Sequence, residues 1–197
     1  MKRILAILLA LCALLSLAAC GGNTASGGGT AASGSSAAPA QSSAPAKPED
    51  VTGETYETGS FQALVPTGWK AFGVPDIWAD EDDVMDPDAL RIIKGGESDM
   101  DVFSRPYIQL NFYGPDTTLW NPDMSFYDDG EELEPITVGG LTWVGFKAKS
   151  LGSTIVMLWT EDEEIQYQAS IFYEATNGSI SLEDVDVLAI LGSVQPR

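Results

Sequence analysis

Apolar residues fall along this chain in two regimes. Residues 4–17 form an almost unbroken run of Leu, Ile and Ala, whereas beyond residue 50 apolar positions recur mostly with a period of two. In Glu164–Tyr173, "EIQYQASIFY", positions Ile165, Tyr167, Ala169, Ile171 and Tyr173 share one face and Gln166, Gln168 and Ser170 the other, which predicts a strand with one buried face. "STIVMLWT" before it is apolar on both faces and predicts a central strand covered on two sides. The polar Glu161–Glu164 between them reads as a hairpin tip. "RPYIQLNFYG" aligns Ile108, Leu110 and Phe112, and "ITVGGLTWVGFKAKS" reads as two strand pieces about a Gly139-Gly140 turn or bulge. "SFQALVPTGWKAFGV" predicts a strand, a Pro66-Thr67-Gly68 turn and a second strand.

Two segments carry helical signals. Ser181 and Asp184 form a capping-box-like start ahead of Leu182, Val185, Leu188 and Leu191, with Gly192 at the end. Pro87–Lys94 predicts a shorter helix, with Asp86 as cap and Gly95 after its end. The expected class is α+β: an antiparallel sheet flanked by one to three helices.

The opening regime has a different meaning. Lys2 and Arg3 precede the apolar run, and the small Ala18 and Ala19 precede Cys20. That is the layout of a secretory signal, and the run falls short of the roughly 20 apolar residues a spanning helix needs. Leu17-Ala18-Ala19-Cys20 resembles the lipobox of bacterial lipoproteins. The resemblance implies a lipidated Cys20 that becomes the first mature residue, a membrane attachment through that lipid, and an extracytoplasmic location. The only other cysteine, Cys12, lies within the segment that would be removed, so the mature chain has no disulfide.

From Gly21 to about Pro48 the chain is Gly, Ser, Ala, Thr, Pro, Gln and Asn with a single charge at Lys47, a composition that buries nothing. A flexible tether of this length spans roughly 30 Å. The expected organisation is a signal peptide at 1–19, Cys20 and a disordered linker at 20–50, and a globular domain at 51–197, a length that sustains one core. "SFQALVPTGWK" is similar to the opening strand and Pro-x-Gly-Trp turn of PsbP-like domains. The two late strands followed by "LEDVDVLAILGSV" are similar to their closing hairpin and C-terminal helix. The resemblance implies an α/β/α sandwich and a role in binding or assembly. No catalytic residue set unites that family, so none is carried over, and the acidic stretch 76–101 departs from its pattern.

Composition then narrows the chemistry. The chain has no histidine, which removes Ser-His-Asp and Cys-His nucleophilic sites and the commonest transition-metal ligand. No phosphate-binding loop, Gly-x-Ser-x-Gly or Ser-x-x-Lys occurs, and no cofactor is implied. Twenty-nine acids against ten bases give a net charge of −19, two units more negative without Lys2 and Arg3, which repels nucleic acid and anionic head groups. Seven carboxylates crowd Asp76–Asp88. Hard cations want several such oxygens, which makes Asp76, Asp80, Asp82 and Asp83 the calcium candidates, but the sixth-position glycine of an EF-hand loop is missing and a solvated loop is the simpler reading. "DDGEELE", Asp128–Glu134, reads likewise as a solvated turn. Asn177-Gly178-Ser179 reads as a turn.

Of five tryptophans, Trp69, Trp143 and Trp159 sit in strand-like segments as core. Trp78 and Trp120 sit in loop-like segments beside polar residues, where an exposed ring grips a sugar or a peptide. The expectation is a non-catalytic binding or assembly module at the cell surface for a protein, peptide or glycan. A carboxylate-based or calcium-dependent hydrolase of the envelope is the alternative.

Overall fold

The computed structural model describes residues 47–197 apart from 116, 118, 119 and 163, all within the unit Ser42–Arg197. The expected signal peptide, Cys20 and most of the linker lie outside the described residues. A short 3-10 turn at Pro48–Asp50 leads into twelve strands and one α-helix. The strands are β1 (Gly53–Glu57), β2 (Phe61–Pro66), β3 (Trp69–Pro75), β4 (Met85–Lys94), β5 (Tyr107–Tyr113), β6 (Asp128–Val138), β7 (Leu141–Ser150), β8 (Ser153–Thr160), β9 (Gln166–Phe172), β10 (Glu174–Ala175) and β11 (Gly178–Ser179). Helix α1 (Val185–Ser193) and β12 (Gln195–Pro196) close the chain.

Seven strands make one antiparallel sheet in the order β3-β4-β5-β9-β8-β7-β6, and β1-β2-β12 make a second, smaller one. The architecture is α+β, dominated by antiparallel sheet. The small sheet and α1 cover one face of the large one. Phe61, Ala63 and Val65 from β2 and Val187, Ile190 and Leu191 from α1 join Leu90, Ile108, Leu110, Trp143, Val156, Leu158, Ala169 and Ile171 in the main core. Trp69 lies in this core and its Nε1 donates to Asp186 Oδ2 at 3.0 Å. Ser193 Oγ accepts from Leu64 N at 2.8 Å and donates to Ile190 O, tying the helix end to β2.

Several expectations hold in detail. β8 is buried on both faces in mid-sheet, Gly139-Gly140 form the β6–β7 turn with φ of 60° and 84°, and Glu161, Asp162 and Glu164 lie in the β8–β9 connection. Of the expected Asn177-Gly178-Ser179 turn only Asn177 lies in a turn, with Thr176, whereas Gly178 and Ser179 form β11. Other expectations are corrected. Pro87–Lys94 is not a helix: it lies in β4, between β3 and β5. Ala89, Leu90, Ile92 and Ile93 are buried on both of its faces, a pattern that a run of two adjacent apolar pairs shares with a helix. Asp86 accepts from Asp88 N within a strand irregularity rather than capping a helix. Asp128–Glu134 is not a turn but the start of β6, the outer edge strand. Charged edges of this kind resist pairing with other chains.

The expected strand–turn–strand is present as β2, Thr67-Gly68 and β3, and because β2 and β3 join different sheets the turn carries the chain from one sheet to the other. Helix α1 begins later than its signal: Ser181 and Asp184 bond each other in a turn ahead of it. Its buried residues are Val187, Ala189, Ile190 and Leu191, so the face is rotated from the one the sequence indicated, and Gly192 lies inside the helix. Finally, the second helical layer of an α/β/α sandwich is not found among the described residues. On the far face of the sheet, Phe146, Ala148, Ile155 and Met157 are covered by Met124 and Tyr127 of the β5–β6 connection.

Candidate functional site

The connection from β5 to β6 must pass β9, β8 and β7 to reach the sheet edge. Its tail, Trp120–Tyr127, crosses the face opposite α1 and is held there by two glutamines of β9. Gln166 and Gln168 were expected on a solvated face, but both are buried. Gln168 Nε2 donates to Trp120 O and to Gln166 Oε1, and Gln166 Nε2 donates to Asn121 Oδ1 at 2.8 Å. Their amides replace the water that the strand pattern implies, since a buried amide without a partner is costly. On the same face, Arg91 donates to Gln109 Oε1 and Gln109 to Asn111 Oδ1, extending a row of polar side chains across β4 and β5.

Between this crossover and the sheet lies a cleft of about 500 Å3, lined by Asn121–Met124, Glu132, Leu133, Val144, Gly145, Phe146, Trp159 and Glu161. The aromatic residues form one group: Phe146 meets Tyr127 at 5.4 Å and Trp159 at 6.3 Å between ring centroids. Trp159 Nε1 is buried without a hydrogen-bond partner. Asp123 accepts from Ser125 N at 2.8 Å, and its contacts with Ser125 hold its carboxyl below the usual carboxylate range. Glu132 and Glu161 are exposed at the mouth. Glu132 sits opposite Phe146 in the β6–β7 register, which places it on the cleft face. The charged residues lining the cleft are all acids.

The sequence candidates are distributed differently. Trp120 stands on the crossover beside the cleft and is 59 % exposed. Trp78 is 88 % exposed on the β3–β4 loop, at the other side of the sheet order, so the two rings do not belong to one site. In that loop Asp76 Oδ1 accepts from Trp78 N, and Asp76 N donates to Val84 O, so Asp76 organises the turn. Asp80, Asp82 and Asp83 are exposed, with Asp83 at φ 65°. Among the described residues no three acidic side chains gather as a cation ligand set. Sequence reading did not single out Phe146, Glu132 or Glu161 as site residues. The strand alternation of Glu132 and Phe146 was a usable signal, but only the pairing register puts them together.

No protein-family model and no curated protein matches the chain. A solved structure from Bacteroides thetaiotaomicron VPI-5482 aligns with a TM-score of 0.41 at 11 % identity, over 74 % of this chain and 48 % of its own. This chain thus spans about half the length of that protein.

Proposed function

We propose that this protein is an extracytoplasmic lipoprotein, attached to a bacterial membrane through lipid on Cys20, whose α+β domain is a non-catalytic binding module for a protein, peptide or glycan. The observation that carries the binding reading is the open cleft with an aromatic floor beside the exposed Trp120. A concave, largely apolar surface with a few fixed polar groups is how proteins hold ligands. The lipobox-like Leu17–Cys20 supports the anchor. A PsbP-like relationship is supported by the β2–turn–β3 segment and by the β8–β9 pair followed by α1.

The anchor is tested by Cys20→Ser. Loss of fatty-acid labelling and release from the membrane fraction are expected, and unchanged labelling refutes it. The binding reading is tested by cross-linking at Trp120 in intact cells, with a photoreactive residue in its place. A discrete adduct that a probe at Glu54 does not give supports the module, and identical patterns at both positions refute it. Carboxylates at the cleft mouth favour a hydrolase as the second reading; turnover of a captured peptide or glycan, abolished by Glu161→Gln, would select it.

A further inference from the structure

On the sheet face opposite α1, the half formed by β3, β4, β5 and β9 departs from the charge of the chain. The core residues Trp69, Leu90, Ile108 and Ala169 point to the α1 side, so their strand neighbours Lys70, Arg91, Gln109 and Gln168 stand on the opposite face. β3, β5 and β9 contain no Asp or Glu, and neither does β4 from Ala89 to Lys94, in a chain with 29 acids. Lys70 is exposed, and Arg91, Gln109 and Asn111 are half-buried, so this face is open to a ligand. Lys47, Lys94, Lys149 and Arg197 each pair with a carboxylate. Lys70 and Arg91 pair with none among the described residues: Lys70 Nζ donates to the Glu97 carbonyl at 3.2 Å, and Arg91 Nη2 donates to Gln109 Oε1 at 3.0 Å. Lys70 lies opposite Ile93 in the β3–β4 register, which makes it a diagonal neighbour of Arg91, about 7–8 Å away. From Arg91 the donors run one way: Gln109 Nε2 donates to Asn111 Oδ1 at 3.3 Å, and Asn111 Nδ2 donates to no described residue. Asn111 lies opposite Gln168, which holds the carbonyl of the exposed Trp120. Of the acids in the β4–β5 loop, Asp101 already accepts from Glu97 N and Ser98 N, and Glu97 meets Lys70 through its carbonyl rather than its carboxylate.

We propose that this open face binds an acidic glycan, with carboxylates at Lys70 and Arg91 and hydroxyls along Gln109 and Asn111. This rests on the binding reading above and narrows the protein, peptide or glycan of that reading to a uronate-bearing glycan that reaches Trp120 from the β5 side. Two neighbouring cations without a carboxylate, in a chain with a surplus of acids, are matched by a carboxylate from outside, and such charge-assisted bonds are the stronger ones. The amide row is neutral and suits sugar hydroxyls, which both donate and accept. A peptide is matched less well: the row lies on β4, β5 and β9, all internal strands, so it offers no free strand edge for a peptide backbone. Trp120, 59 % exposed at the end of the row, offers a ring face to the apolar side of a sugar. The net charge of −19 opposes an anion at a distance, but salt screens that repulsion beyond about 8 Å at physiological ionic strength, which leaves the contacts at Lys70 and Arg91 to decide binding.

The test uses the full-length chain in a non-ionic detergent and calorimetric titration at physiological salt with three probes. The first is an oligogalacturonate, the second its methyl ester, which keeps the sugars and loses the charge, and the third an oligoglutamate with as many carboxylates. The oligogalacturonate is expected to bind about tenfold more tightly than either of the others. Lys70→Gln with Arg91→Gln should bring it to the level of the ester. Lys47→Gln with Arg197→Gln removes the same charge elsewhere and should change affinity less than about twofold. An unchanged melt checks folding, and Lys70→Gln alone, at an exposed position, should still weaken the oligogalacturonate and not the ester. Equal binding of acid and ester, oligoglutamate binding as tightly as the oligogalacturonate, no binding by any probe, or an equal loss in both double variants overturns the proposal. The Trp120 cross-link separates the two readings. A discrete adduct lost on Lys70→Gln with Arg91→Gln supports the acidic glycan. An adduct that survives that pair leaves the module standing and removes the acidic glycan, whereas no discrete adduct from the unsubstituted chain removes the module.

Discussion

At the scale of single residues, the instructive positions are those whose environment contradicts their type. Leu151 is fully exposed in the β7–β8 turn at φ 52°. A left-handed backbone costs an L-residue about 1–2 kcal/mol, and Asn bears it best among side-chain-bearing residues. Leu151→Asn is therefore expected to raise stability by about 0.5–1 kcal/mol in denaturant melts. Tyr167 and Tyr173 contradict their type differently. Burial pushes both phenols from the ordinary 10.0 up to about 12, helped by Asp162 at Tyr167 and by Glu183 and Asp184 at Tyr173, where a hydrogen bond accepted from Leu182 N works the other way. The folded state thus favours the neutral phenol. This contribution is complete below pH 10 and disappears as pH rises toward 12. Melts from pH 9 to 12 should show stability falling across that window, with two tyrosines titrating late in the 295 nm absorbance. Replacing either by Phe should flatten the fall.

At the scale of elements, the contact between α1 and the β6–β7 turn fixes where the helix lies. A Cβ on Gly139 would stand 1.7 Å from the Gly192 carbonyl oxygen, and Gly139 also has a φ of 60°. Gly140 next to it has a φ of 84° but open space. Gly139→Ala is expected to destabilise by about 2–3 kcal/mol, since strain and overpacking add. Gly140→Ala should cost only the backbone share, about 1 kcal/mol. Equal losses in chemical denaturation would show that the helix does not rest on the turn. The β5–β6 crossover is the second element of consequence. Amide hydrogen bonds hold it on β9 at Trp120 and Asn121, and Met124 and Tyr127 pack it on the apolar patch of β7 and β8, so its position at Trp120 is sensitive to Gln166 and Gln168.

At the scale of the whole molecule, charge dominates. A chain at −19 repels itself, and Asp76–Asp88 concentrates that repulsion. Salt screens it over a Debye length of about 10 Å at 0.1 M without regard to the cation. Tm should therefore rise gently with sodium chloride, and calcium should add little at matched ionic strength. Asn at Asp80, Asp82 and Asp83 should leave stability equal or higher. A sharp rise at micromolar calcium, abolished by those substitutions, would instead make the β3–β4 loop a built cation site.

The sequence by itself determined the α+β class, the β5, β8 and β9 strands, the Gly139-Gly140 turn and a C-terminal helix, because alternation, turn glycines and capping residues act over a few neighbours. It was equally sufficient for the chemistry that is missing, since a chain without histidine makes no histidine site in any fold. It misread β4, because paired apolar residues at 89–90 and 92–93 fit a helix face as well as a strand buried on both sides. It misread β6, because an edge strand is chosen by its partner β7 and not by its own acids. It placed Gln166 and Gln168 in water, because local polarity says nothing about which loop will cross above a strand. The cleft is the clearest case: Asn121, Glu132, Phe146, Trp159 and Glu161 come from four separate stretches of chain. Only strand order and register bring them to one face, and those are settled by long-range pairing and burial that no short segment of the sequence encodes.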